Sequence, residues 1–264
     1  MASKSLVLTD DYISDVLRYL LELESDLPPL GNYLSEDSEV KIWMRDRLVN
    51  WIVNVAEELG ASIETAQLSI TLINQFLAKV RTKKAVLQLV GVVCLMIALK
   101  FHENMGYTLD HAMIHSANLY KKEDIKATEL FAMQKMGWKL AFPTAAEISR
   151  QLLYVTGVDF DFSKIIERSD AFAMECYKDY HLSQHSPFVI ALVSVTCSLE
   201  QYNQHKFRNQ WLKFLKNKLD LDGPVLDACK RQLVHKLYRE APEQGASTLQ
   251  PLLKESLSSL LANL

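Results

Sequence analysis

The chain runs to 264 residues, 49% hydrophobic and 23% charged, a balance that excludes wholesale disorder and a disulfide-stapled miniature. Its 29 Lys and Arg against 32 Asp and Glu leave a net charge of −3. With no basic run longer than a dipeptide, that argues against a nucleic-acid partner, which needs a basic footprint to release counterions from phosphates. Only 8 Gly and 7 Pro punctuate the chain, which predicts few turns and long helices.

In chain order, MASKSLVL has no apolar signal core and no myristoylation glycine, and the closing LLANL has no prenylation box. The expectation is an intracellular protein of nucleus or cytoplasm. Thr9 with Asp10 and Asp11 reads as the N-cap and acidic first turn of a helix to about Glu24. Ile13, Val16, Leu17, Leu20 and Leu23 are its apolar residues, and Pro28, Pro29 and Gly31 end it. From about Val40 a second helix carries the rows Leu48, Ile52, Val55, Leu59 and Val49, Val53, Ala56, closed by Gly60. Ser62 is placed to cap a third helix with Leu68, Leu72, Ile73, Phe76 and Val80, and Thr82 to cap a fourth reaching about Glu103.

Residues 85–99 of that fourth helix, AVLQLVGVVCLMIAL, have Gln88 as their only polar side chain. The run falls short of the roughly 20 residues a bilayer needs, so it predicts a helix surrounded by other helices and no membrane partner. Two shorter helices follow, Thr108 through Ala117 and Lys121 to Met136, punctuated by Gly106 and Gly137. Thr144-Ala-Ala-Glu147 is a capping box. Further helices are predicted over 144–155, 163–180, 187–202, 207–218 and 224–239, with Ser186-Pro187 as N-cap and N1 proline, Gly223-Pro224 as a break, and a short helix around 248–262. No segment of useful length alternates with strand period, so the predicted class is all α. The organisation expected is an N-terminal tail and helix (1–35), two successive five-helix bundles (36–141 and 142–241) and a C-terminal short helix (242–264).

No GxGxxG, GxxxxGK, GxSxG or HExxH is present, so no catalytic constellation is expected. His111/His115 and His181/His185 have helical spacing, but HAMIH and HLSQH supply no intervening Glu and no evident third ligand. They read as surface or capping histidines, with no metal and no cofactor expected. Cys94, Cys176, Cys197 and Cys229 are isolated and read as buried thiols of a reducing compartment. Met96, Met105, Met113, Met133 and Met136 occupy core-like positions. Two charges stand out: Lys100 at the end of the apolar helix, before Phe101-His102-Glu103, and Glu129 among Leu130, Met133 and Met136. Taken alone, Lys100 is equally a helix-end cation favoured by the dipole.

Read together, these stretches resemble the cyclin box, most closely that of mitotic A/B-type cyclins. The pattern Met-Arg-x-x-Leu-Val-x-Trp stands as Met44-Arg45-Asp46-Arg47-Leu48-Val49-Asn50-Trp51. Leu72-Ile73-Asn74-Gln75-Phe76-Leu77, Leu87-Gln88-Leu89-Val90-Gly91 and Ala98-Leu99-Lys100-Phe101-His102-Glu103 follow in order, and Glu129 falls at the family glutamate without a gap. The resemblance runs from about Asp11-Tyr12 through Pro143 and continues more loosely, as in Ser186-Pro187-Phe188-Val189-Ile190-Ala191.

The resemblance implies two tandem cyclin-box bundles in a non-catalytic subunit that binds and activates a cyclin-dependent Ser/Thr protein kinase in cell-cycle control. It implies that Lys100 and Glu129 project together and hydrogen-bond around the kinase's αC helix, with Phe101 and Trp138 as apolar contacts and Tyr12 and Val16 touching the kinase as well. Core packing of Phe101 and Trp138 is equally open at this point. Arg45 matches the family arginine that pairs with an aspartate, here Asn74, so a charge-assisted hydrogen bond and a weaker box are expected. A docking patch for substrates or inhibitors carrying Arg-x-Leu motifs maps to Met44, Arg47, Leu48, Trp51, Asn54, Leu87 and Gln88. There Arg47 replaces an apolar residue and Asn54 a glutamate, which predicts weak binding of ordinary motifs or preference for an acidic ligand. His102 stands where the family has glutamate and would change kinase choice. Two other readings are a transcription-machinery scaffold, disfavoured by the charge balance, and an all-α enzyme, which would act without a partner.

Overall fold

A computed structural model describes residues 10–25, 27, 30–103, 111, 119–156, 160–240 and 257–263. Helices are α1 Asp10–Ser25, α2 Ile42–Glu58, α3 Ile63–Lys79, α4 Leu87–His102, α5 Lys122–Lys135, α6 Ala145–Tyr154, α7 Ser163–Lys178, α8 Pro187–Gln201, α9 His205–Lys218, α10 Gly223–Glu240 and α11 Leu257–Asn263. No strand occurs among the described residues. Apart from His111, the expected helix from Thr108 to Ala117, with Gly106, Met105, Met113 and His115, lies outside the described residues, as does the Thr9 cap.

The helices form two compact units. One comprises the described parts of Leu27–Thr144 together with Tyr177–Tyr180; the other comprises those of Met1–Asp26, Ala145–Cys176 and His181–Leu264.

The first unit is built around α4. Every residue from Leu89 to Leu99 is buried, packed by α2, α3 and α5. With the 3-10 turn Lys84–Val86 before it, the apolar run reaches 19 residues, Lys84–His102, long enough by length and composition to cross a membrane. Burial of 67% of an 18-residue window of that stretch within the fold, rather than shortness, marks it as a core helix. Gly91 faces α2 closely: a Cβ there would lie 2.8 Å from Leu48 Cδ1 and 3.3 Å from Ile52 Cδ1, so a side chain would force those two side chains to shift.

Ser62 caps α3 as expected, its Oγ accepting from Thr65 N at 3.3 Å. Thr82 does not cap α4. Its hydroxyl donates to Val80 O at 2.9 Å, because the 3-10 turn intervenes and α4 starts only at Leu87. Gly60 closes α2 with φ +67, a left-handed conformation that costs glycine little.

In the second unit α8 is the buried helix, packed by α1, α6, α9 and α10. Ser186 Oγ caps it through Val189 N, with Pro187 at N1, and Glu24 at the end of α1 accepts from Phe188 N at 2.7 Å. This fixes α1, whose Ile13, Leu17 and Leu20 are buried. Glu200, 1% exposed, lies between Arg208 at 2.9 Å and Lys230 at 2.8 Å. Burial pushes its carboxyl up in spite of those two cations. The short α11 is held at both ends: Asp227 accepts from Leu257 N, and Lys216 Nζ donates to Leu261 O, each at 2.5 Å. All four cysteines are buried and free, and burial pushes the Cys94 and Cys197 thiols up.

Candidate functional site

Apolar burial of α4 ends at Leu99, so Lys100 is the first side chain of its last turn to reach solvent, 46% exposed. On α5 only Ile125 and Ala132 are buried. Glu129 stands four residues after one and three before the other, on the stripe that faces α4. The two helices therefore bring the charges together: Lys100 Nζ donates to Glu129 Oε1 at 2.6 Å. The pair borders a groove of 340 Å³ lined by Ile97, Phe101, Lys126, Leu130, Met133, Trp138 and Leu140.

Phe101 is 47% exposed and Trp138 63% exposed, so core packing is excluded for both rings. The turn after α5 explains Trp138. Gly137 at φ +64 and Trp138 at φ +61 are consecutive left-handed residues, fastened by Gly137 N to Gln134 O at 3.1 Å and Trp138 N to Met133 O at 2.9 Å. The indole is thereby turned outward. Leu130, 51% exposed, extends the same apolar rim.

Next to Lys100, the His102 ring tilts against Phe101 at 5.2 Å, and its Nδ1 is buried with no hydrogen-bond partner among the described residues. Glu103 turns back to the start of α3, where Oε1 accepts from Ser62 N at 2.8 Å, Ser62 Oγ at 2.7 Å and Thr65 Oγ1 at 2.6 Å. Those bonds, Thr65 first, hold its carboxyl below the usual carboxylate range. Glu103 thus fixes the end of α4, and with it the residue range that presents Lys100.

Arg45 is fully buried. Its Nε and Nη2 donate to Asn74 Oδ1 at 3.1 and 3.0 Å, as the sequence predicts, while Nη2 and Nη1 also reach Tyr177 O and Lys178 O, both at 2.8 Å. Asn74 Oδ1 accepts a third bond from Tyr33 at 2.9 Å, a phenol that burial raises to about 12. The arginine does not lose its ion pair, as Asn74 alone suggests: Asp46 supplies the carboxylate at 2.9 Å. The counter-charge stands on α2 itself instead of α3.

The mapped docking patch lies on α2 and the start of α4. Leu48 and Leu87 are buried and form its floor, Met44, Trp51 and Gln88 are half-buried, and Arg47 and Asn54 are exposed. Trp43, 60% exposed one turn before Arg47, was not signalled by the motif. Tyr12, 54% exposed, and half-buried Val16 lie on α1 in the other unit. Of the paired histidines, His185 meets Gln232 Oε1 at 3.0 Å, and no group of three or more metal-ligating side chains occurs among the described residues.

Residues 15–141 match the family model described as cyclin, N-terminal domain. The chain belongs to the cyclin family. This cyclin is 26% identical to G1/S-specific cyclin-D3 of Rattus norvegicus over 243 residues, 88% of this chain and 80% of that protein. It is 28% identical to Cyclin-B1-3 of Oryza sativa subsp. japonica over 237 residues, 88% of this chain and 48% of the other. The X-ray structure of a viral cyclin from herpesvirus saimiri superposes with a TM-score of 0.71 at 17% identity, covering 92% of this cyclin and 99% of that chain. The near-equal identity to the D-type and B-type relatives favours neither subtype, where the sequence pattern points to the A/B type.

Proposed function

We infer that this cyclin is a non-catalytic regulatory subunit that binds a cyclin-dependent Ser/Thr protein kinase and activates it by docking against its αC helix, in control of the cell cycle. The observation that carries the reading is the Lys100–Glu129 pair at the edge of an apolar groove. A kinase is competent only when its β3 Lys pairs with the αC Glu and its magnesium-binding Asp is in place. A partner that binds only the inward αC position shifts the population toward that state. Helix and loop ends offer unpaired amides and carbonyls; Glu129 accepts from the former and Lys100 donates to the latter. Phe101, Leu130 and Trp138 exclude water, which strengthens those bonds. Tyr12 and Val16 on α1 are the further kinase contacts, and the four unpaired buried cysteines support an intracellular setting.

Mixing the protein with a panel of inactive cyclin-dependent kinases and following phosphate transfer to a histone-like substrate tests this reading. Transfer is expected only in a mixture. Silence with every kinase, or transfer by the isolated chain, would refute it.

The docking patch carries a second expectation. With Arg47 exposed on its face and Asn54 where an acid would attract the motif's arginine, ordinary Arg-x-Leu peptides bind weakly. Arg47→Leu should tighten such a peptide by about tenfold, equivalent to ~1.4 kcal/mol. Equal affinity of the two proteins in a fluorescence titration would show that Arg47 does not set the preference.

A further inference from the structure

We propose that Ser35 is a phosphorylation site for an acid-directed Ser/Thr protein kinase, and that Arg81 and Lys79 receive the phosphate it acquires. Ser35 opens an exposed turn, Ser35-Glu36-Asp37-Ser38, closed by Ser38 N donating to Ser35 O at 3.0 Å. Glu36, Asp37 and Glu39 follow it closely, the charge pattern that a basic substrate cleft selects.

The surroundings of the turn point to an anion. Two cations already hold its backbone, Lys41 Nζ on Glu36 O at 2.6 Å and Arg81 Nη2 on Asp37 O at 3.1 Å. Beside it opens a largely polar groove of 300 Å³, whose walls include Ser35, Ser38, Lys79, Arg81 and Thr82. Lys79 and Arg81 are exposed and lie at and just beyond the end of α3. In the unmodified protein Arg81 is held by a neutral carbonyl. A phosphate dianion is a stronger acceptor for a guanidinium and would draw it across the groove.

In the transfer, Ser35 Oγ attacks the γ-phosphorus of ATP. The new O–P bond forms as the bond to the bridging oxygen of ADP breaks, ADP departs, and the hydroxyl proton passes to the modifying kinase's base. The site is independent of the Lys100–Glu129 groove and of the kinase-activation reading.

The test treats the full chain with an acid-directed Ser/Thr kinase and ATP, maps the modified residue by mass spectrometry, and titrates the phosphoprotein by phosphorus NMR. Phosphate is expected on Ser35 and absent from Ser35→Ala. An unpaired phosphoserine has its second ionisation near pH ~6; here it should fall about half a pH unit lower and return in Arg81→Ala, a surface change that leaves the core intact. No incorporation, incorporation at Ser38 instead, or the same titration in Arg81→Ala would overturn the proposal.

Discussion

Reversing the charge of Lys100, or cutting Glu129 back to alanine, is expected to weaken kinase binding by about 2–5 kcal/mol while changing the stability of the isolated protein by less than about 1 kcal/mol. The two effects separate because the pair has different surroundings in each state. In the isolated protein the 2.6 Å ion pair is partly solvated, with Lys100 46% and Glu129 23% exposed, and water replaces much of what a lost partner gave. Under a docked segment the same groups are shut away from water by Phe101, Leu130 and Trp138, and removing one leaves the other charge buried without its partner. Titrating a fixed amount of kinase with each variant in a pull-down, alongside urea unfolding of the variant alone, reads both quantities. Undiminished kinase affinity would remove Lys100 and Glu129 from the interface, and a fall in both measurements together would make the pair a structural feature.

Arg45→Met should cost about 3–5 kcal/mol of folding stability. Methionine fills much of the volume but leaves the Tyr177 and Lys178 carbonyls, Asn74 Oδ1 and the Asp46 carboxylate short of a donor. Burial already pushes the Asp46 carboxyl up against the opposing pull of Arg45, so without the guanidinium its ionised form is disfavoured further. Arg45→Lys should fall between: one ammonium keeps the charge but cannot reproduce the planar fork that serves several acceptors at once. Urea unfolding curves of the three proteins measure the differences, and a loss for Arg45→Met below about 1 kcal/mol would mean that the buried guanidinium is dispensable.

The long apolar periods made most of the helices legible: α2 and α3 bury the residues their rows predict apart from half-buried Leu59 and Val80, which lie just past the helix ends, and α4 buries the run from Leu89 to Leu99. Local chemistry carried over equally well at Ser62 and Ser186, where the hydroxyl and the amide it caps are three residues apart. Thr82 misled because a 3-10 turn and an α-helix share the same starting residues in a sequence. At the candidate site, Lys100 and Glu129 were legible through the family pattern, whereas the exposure of Phe101 and Trp138 was not, because an aromatic residue reads alike in a core and on a rim. The Arg45 network was the least legible. Its two backbone acceptors lie 132 and 133 residues away, carbonyls belong to every residue type, and Asp46 as its neighbour had no motif to single it out. Trp43 and Leu130 were missed for the same reason, since only the packing of neighbours shows which apolar side chains are left outside.

The backbone at Gly137 and Trp138 bears on how quickly a partner can engage. A tryptophan forced into a left-handed turn costs about 1–3 kcal/mol, and the capped end of α5 sustains that cost in the isolated molecule. The indole therefore stands in its outward position before any encounter. On the kinase-docking reading proposed above, an arriving surface would meet a ring already exposed instead of waiting for a buried one to swing free, and association at this edge is expected to be limited by diffusion and orientation.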